Sequence, residues 1–327
     1  MTSSVYLDAL DELLRSGVAD LSARFIATQV RYVAGCQQPD GGFAGRQGAS
    51  DEYYTDFALR TLALLAPGHD AFRRAADYLV RWPGPPRDMV QCFTLLSATR
   101  SLEQSLPSPL AGEGQGVRGL GQDTELLSAD PLWAIEWLYA HLLPSGGFAR
   151  YTDDQRVSAY HTFLGALCFQ MLGHDMPAIE DAISAVAALA RADGGYAELA
   201  GQTASQTNAT AAAVALLMMR DALPAERAAK TARFLARMQS GDGGLRSHDA
   251  ARGGDLLSTF TGLLTLLGLG GLDQVDLAGV ARFLKRAAHR DGGFLACFGD
   301  DCPDVEYTYY GVCTLALLRL WTSDQKK

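Results

Sequence analysis

A glycine pair recurs along this chain of 327 residues, at Gly41-Gly42, Gly146-Gly147, Gly194-Gly195, Gly243-Gly244 and Gly292-Gly293. The last four pairs begin 48, 49 and 49 residues apart. An aromatic or apolar residue follows each pair: Phe43, Phe148, Tyr196, Leu245 and Phe294. Thr162, Thr210, Thr259 and Thr308 each lie 16 residues after the first glycine of their pair, and Thr55 lies 14 after. Three residues past that threonine comes a small residue: Ala58, Gly165, Ala213, Gly262 or Gly311. Self-similarity at this period marks a repeat architecture, in which no unit buries its apolar face alone and neighbours complete one another's core.

Each repeat reads as two helices joined through the glycine turn. AERAAKTARFLARMQS (225–240) has apolar residues at helical spacing and strong helix formers throughout. The glycines at 243–244 stop it, because they tolerate backbone conformations that other residues avoid. A polar loop follows, and Asp255, a natural N-cap, opens the apolar helix LLSTFTGLLTLLGLG. An amphipathic outer helix therefore alternates with an inner helix that must be covered on most sides. The small residue after the threonine is expected to let neighbouring helices approach closely. A degenerate sixth copy is expected near Trp82 to Leu102, with Pro83-Gly84-Pro85-Pro86 in place of the pair and Cys92-Phe93-Thr94 leading its inner helix. Residues 103–123 contain SLPSPLAGEGQGVRGLGQ (105–122), rich in Gly, Pro and Ser and without period, and are expected to form a flexible surface insertion. An open solenoid needs polar capping ends, yet the last inner helix, YYGVCTLALLRLW, is as apolar as the middle ones. Closure removes the problem. The expected fold is an all-α toroid of six helical hairpins, with inner and outer helix rings, as a single domain over residues 1–327.

Length alone would suggest two domains, but stacked repeats share a core. A net charge of -9 argues against a nucleic-acid partner, since phosphate backbones need basic surfaces. The six cysteines are scattered and form no CxxC pair, as expected of reduced thiols in a cytoplasmic protein. The start, MTSSVYLDALDELLRSG, carries acids where a signal peptide carries bases. No run approaches the ~18 apolar residues of a membrane span, so no transmembrane segment is expected.

A Gly-Gly-aromatic turn, a polar loop and an apolar inner helix in six copies resemble the α/α-toroid superfamily of protein prenyltransferase β subunits and terpene cyclases. CQQPDGGFAGRQGASDEYYTDFALRTLALL (36–65) and YHTFLGALCFQMLG (160–173) look most like prenyltransferase β-subunit repeats. That resemblance implies an isoprenoid diphosphate or related lipid as ligand and allows a helical partner subunit. In prenyltransferases it also implies a zinc held by an aspartate and a cysteine at the start of the fifth inner helix and a histidine at the start of the sixth. Three protein ligands would leave the fourth zinc position open for the acceptor thiolate. The matching positions here are Asp255, Leu257 and Tyr307. Two ligands are missing, so no catalytic zinc and no other cofactor are expected; Cys302, five residues before Tyr307, is the nearest substitute thiolate. The resemblance places the diphosphate at the loop GGLRSHDAARGGD, which offers Arg246, His248 and Arg252. Charge-assisted hydrogen bonds to phosphate oxygens would suit them, and a solvated loop is the plainer reading. The DxDD motif of the cyclase branch is absent, and DDCPD at 300–304 is broken by Pro303 in a loop.

All inner helices run the same way, so their N-termini share one end of the ring. That end gathers acids, among them Asp51, Asp255, Asp304 and Glu306, and bases, among them Arg46, Arg150, Arg156, His161 and Arg246. Asp51, Asp255 and Asp304 share one register and read first as helix N-caps. Asp304 and Glu306 are the candidate catalytic acids, since a carboxyl in a dry mouth can hold a proton near neutral pH. Tyr53, Tyr54, Tyr160, Phe260 and Tyr307 are candidates to line a cavity for an isoprenoid chain, beside His161; each could equally fill the core. No Ser/His/Asp set is visible. The expected function is a prenyltransferase-like or terpene-processing protein. A non-catalytic isoprenoid-binding or scaffolding relative, and a class II-like cyclase with a non-standard acid, are the alternatives.

Overall fold

The computed structural model describes residues 6–81, 85–106, 132–151 and 153–324. These hold thirteen α-helices: α1 (Tyr6–Val18), α2 (Ala23–Gly35), α3 (Glu52–Leu65), α4 (Ala71–Val80), α5 (Met89–Ser105), α6 (Leu132–His141), α7 (Ala159–Met171), α8 (Ile179–Ala187), α9 (Thr207–Met219), α10 (Ala225–Arg237), α11 (Leu256–Gly268), α12 (Leu277–Ala287) and α13 (Val305–Asp324). The sixth hairpin expected around Trp82 is α4 and α5, although Trp82, Pro83 and Gly84 lie outside the described residues. Of the expected insertion, residues 103–105 belong to α5, and 107–123 lie outside the described residues.

The inner helices pack in the order α3, α5, α7, α9, α11, α13, and α13 packs back on α3. The ring is closed. The chain is the all-α toroid expected, and closure gives each apolar inner helix two inner neighbours. The outer helices are amphipathic for the same reason: α10 buries Thr231, Ala232, Phe234 and Leu235 and leaves Glu226, Lys230 and Arg233 outside.

The glycine-to-threonine register has a hydrogen-bonding cause. The backbone N–H of the residue after each pair donates to the threonine hydroxyl: Phe43 to Thr55 at 2.9 Å, Phe148 to Thr162 at 3.0 Å, Tyr196 to Thr210 at 2.9 Å, Leu245 to Thr259 at 2.9 Å and Phe294 to Thr308 at 3.2 Å. All five threonines are fully buried, so the turn is pinned to the first helical turn in the dry interior. The small residue three further on has a different role from the one expected. A Cβ on Gly165 would meet the Phe148 ring at 2.2 Å, and one on Gly311 the Phe294 ring at 2.4 Å. At these two positions it makes room for the aromatic of its own repeat, while at Gly262 a Cβ would meet Leu245 at 2.5 Å and Thr207 of the neighbouring α9 at 3.3 Å.

The first glycine of each pair touches the next outer helix. A Cβ on Gly194, where φ is +104°, would lie 2.3 Å from the Lys230 carbonyl oxygen. Gly292 meets Thr28 and Tyr32 of α2 in the same way, and its neighbour Gly293 donates to Gln29 Oε1 at 2.8 Å, so the outer ring closes too. At the seam Arg46 reaches from the first repeat to Asp300 Oδ1 at 2.6 Å and Asp304 Oδ2 at 3.0 Å in the sixth. Helix α1 lies outside the hairpin pattern. It packs on α13, α3 and α7, which stand on different sides of the ring, and so crosses its end.

Candidate functional site

The ring encloses a cavity of about 1410 Å³. It divides the buried apolar side chains into two clusters, one centred on repeats five, six and one and the other on repeats three and four. Tyr6, Leu7 and Leu10 of α1 form its floor, and Arg87, Arg150, Tyr151, Asp153 and Asp154 border its mouth. Two features of the inner helices make the space. Helix α9 presents only Asn208, Ala209, Ala211, Ala212 and Ala215 to it, so that wall is thin. The opposite wall is aromatic: Tyr53, Phe57, Phe260, Tyr309 and Tyr310, with Phe93, Tyr160 and Phe163 beside them. These rings brace one another edge-on, Tyr53 to Phe57 at 5.0 Å and Phe57 to Tyr310 at 5.3 Å between centroids. Such contacts fix ring faces without filling the space. Tyr160 exposes 37% of its surface although it stands within the ring; that surface faces the cavity.

Two polar groups line the cavity, and a third stands behind its wall. Asp56 and Arg60, one turn apart on α3, form an ion pair of 3.7 Å. Arg60 also donates to the Tyr309 hydroxyl at 2.5 Å, with its guanidinium 4.1 Å from the Tyr309 ring centroid. Asp56 is 2% exposed, and its Oδ1 has no hydrogen-bond partner. Burial pushes its carboxyl up to about 6, against the pull of Arg60. The second group is Ser158, His161 and Glu198. The Ser158 hydroxyl lies 2.7 Å from His161 Nδ1 and also bonds Glu198 Oε1, while His161 Nδ1 stands 3.7 Å from that carboxylate. His161 and Glu198 line the cavity; Ser158 has no exposed surface and caps α7. The third is Glu306, which accepts from the Tyr53 hydroxyl at 2.9 Å. Burial pushes Glu306 up to about 7, with Asp304 adding to the rise and Tyr53 and Arg46 opposing it.

The residues expected at a site divide between two places. Tyr53, Tyr160, His161 and Phe260 line the cavity together. Glu306 joins them only through Tyr53. Asp304 is buried at the start of α13, where its Oδ1 accepts from the Tyr307 N–H at 2.8 Å while Oδ2 pairs with Arg46. Tyr307 packs edge-on against Tyr310 with Arg46 5.9 Å above its ring, and Tyr54 packs edge-on against Tyr53. Arg246, His248 and Arg252 stand apart from the cavity lining. Arg246 donates to the backbone carbonyls of Asp249 and Arg237, both at 3.0 Å, so its guanidinium ties the loop together. His248 and Arg252 are exposed.

The positions of a prenyltransferase zinc carry an ill-matched set of donors. Asp255 Oδ1 accepts from the Ser258 N–H at 2.7 Å as a helix cap, Leu257 presents only carbon to the cavity, and burial raises the Tyr307 phenol above its ordinary range. Cys302 is exposed, with its thiol on the Pro303 carbonyl. Among the described residues no three His, Cys, Asp or Glu side chains converge as metal ligands.

Sequence reasoning passed over Asp56, Arg60 and Glu198. Asp56 and Arg60 had a signal, two charges four residues apart inside the otherwise apolar EYYTDFALRTLALL. Glu198 had none, because it comes from the loop of the next repeat and meets His161 only once the hairpins stack.

The family described as the prenyltransferase alpha-alpha toroid domain matches residues 6–83 and 115–327. Among solved structures, Candida albicans protein geranylgeranyltransferase-I complexed with GGPP is 13% identical with a TM-score of 0.67, covering 92% of each chain. A variant of the type II terpene cyclase MstE from Scytonema, in complex with its substrate geranylgeranyl dihydroxybenzoate, is 13% identical with a TM-score of 0.59, covering 97% of this chain and 99% of its own. A protein from Actinoplanes is 17% identical, with a TM-score of 0.55, covering 92% and 99%. No curated protein sequence matches the chain. At these identities the structures establish the fold alone.

Proposed function

The chain belongs to the prenyltransferase α/α-toroid family, and from that premise we propose that it is a terpene-processing enzyme that binds an isoprenoid chain in the central cavity and needs no catalytic zinc. The observation that carries this reading is the cavity. Sites for drug-sized ligands span ~300–1,000 Å³, and this one, at about 1410 Å³, has room for a long chain. Its braced aromatic faces suit an isoprenoid, whose alkenes and any positive charge developed on them interact with ring quadrupoles. An anionic head at the mouth would meet Arg87 and Arg150.

The polar groups favour chemistry over passive storage. A purely apolar ligand gains nothing from a buried carboxyl with an unpartnered oxygen, whereas a reaction that moves protons does. Asp56 and Glu306 both hold protons more tightly than ordinary carboxyls, and His161 is oriented by Ser158 and Glu198. Donor and acceptor roles can thus be divided among groups on different inner helices, and every one belongs to a single chain.

The test is titration of the purified protein with farnesyl and geranylgeranyl diphosphates, followed by mass analysis of products and by elemental analysis. Saturable binding by either, with conversion and without stoichiometric zinc, is expected. Binding without conversion would support a carrier instead. Absence of binding by both, or about one zinc per chain, would overturn the reading.

A further inference from the structure

Beneath the cavity lies a second, smaller apolar crevice of about 400 Å³, between α1 and the C-terminal ends of α7, α9 and α11. Tyr6, Ala215, Leu264 and Thr265 line both spaces, so the partition between them is one side chain thick. Away from the partition, Ala9, Leu13, Val214, Met218 and Leu267 give the crevice its apolar walls. Met218 is 40% exposed, so the crevice opens to the surface there. Its one long polar side chain, Gln170, already accepts the Tyr6 N–H at 3.2 Å.

We propose that this crevice is a tail subsite, which takes the far end of an isoprenoid chain too long for the main cavity. The inference rests on the isoprenoid reading above and adds the length of the substrate to it. The inner helix α9 has 13 residues and so runs about 20 Å from mouth to floor. A chain with its head at the mouth points its tail along the alanines of α9 towards Ala215. Below Ala215 the apolar path continues instead of ending, because α1 packs on α13, α3 and α7 and stands off from α9 and α11, leaving the crevice between them. Tyr6 at the partition is the one aromatic residue lining the crevice, and beyond it the walls are mainly aliphatic and methionine side chains, which accept a saturated or unsaturated tail without directing chemistry on it.

The experiment is a chain-length series, geranyl, farnesyl, geranylgeranyl and hexaprenyl diphosphates, titrated below micelle-forming concentrations into wild type and two variants. Ala215→Phe thickens the partition, and Met218→Glu places a charge in the crevice at an exposed position that folding tolerates. Wild type is expected to bind hexaprenyl at least about tenfold more tightly than geranylgeranyl diphosphate, about 1.4 kcal/mol. Both variants lose that gain, and Met218→Glu, which lies outside the main cavity, keeps the wild-type affinity for farnesyl diphosphate. Should Ala215→Phe fail to fold, Met218→Glu decides alone. Equal binding of the two longest chains by wild type, or an unchanged gain in the variants, overturns the subsite and leaves the isoprenoid reading standing. No binding by any of the four overturns both.

Discussion

Glu306 sits where burial and hydrogen bonding compete. Its folded pKa of about 7 lies above the ~4.3 of a free glutamate. The folded state therefore binds more protons than the unfolded chain between those values, and this contribution to stability is full at low pH and lost as pH rises towards 7. Asp56, pushed up to about 6, acts in the same direction. The Tm of the wild type is expected to fall between about pH 5 and about pH 8, and Glu306→Gln, which keeps an acceptor for Tyr53, is expected to flatten part of that fall. Calorimetry at several pH values checks it; an identical slope in the variant would show that Glu306 is an ordinary carboxylate. The sequence offered Glu306 as a carboxyl that a dry mouth could keep protonated, without showing the burial that does so. Glu306 was singled out for its place at a helix start, but its proton affinity comes from burial, with Asp304 adding to it and Tyr53, 253 residues away, opposing it. The basic loop shows the reverse error of scale: Arg246 reads as a phosphate ligand in sequence because the carbonyls of Arg237 and Asp249 that occupy it are invisible there.

At the level of the hairpin, the turn is held by two demands that substitution can separate. Gly201→Ala tests backbone conformation alone: φ is +85° and nothing lies near its Cβ, so a cost of about 1 kcal/mol is expected. Gly194→Ala adds a methyl 2.3 Å from the Lys230 carbonyl oxygen, and the loss is expected to exceed 2 kcal/mol, roughly the upper range of ordinary substitutions. Thr210→Val leaves the buried Tyr196 N–H without its 2.9 Å acceptor, at a cost of about 1–3 kcal/mol. Urea denaturation ranks all three; a Gly194→Ala no worse than Gly201→Ala would remove the contact with α10 as the reason for the glycine. The backbone demand was readable in advance from the glycine itself, whereas the Lys230 contact comes from the next repeat and the threonine's role as acceptor appears only in the folded turn. The reason for Gly165 and Gly311 was misread, since only the structure shows Phe148 and Phe294 folding over them. The Ser158–His161–Glu198 cluster spans two repeats and escaped for that reason.

The closed ring changes how the whole molecule resists unfolding. In an open array the end repeats fray first, because each has one neighbour. Here α3 and α13 pack on each other, and Arg46 ties their loops. Amide hydrogen exchange is expected to show α3 and α13 protected to the same degree as α9, as one cooperative unit. Faster exchange confined to the first and last repeats would mean that the seam behaves as two free ends. The small number of folds open to six such repeats made the toroid readable, whereas the size of the central space depended on how alanines and aromatics face one another across it. Helix α1 carries one more consequence. It is synthesised before α13, yet its most extensive contact is with that helix, where Gly17 lies against the Ala316 carbonyl. Until the sixth hairpin emerges, Leu10 and Leu14 have no finished surface to bury against. A product that stops short of α13 would thus expose the apolar face of α1 to chaperones and proteases, so that the helix crossing the ring end also reports whether the ring has closed.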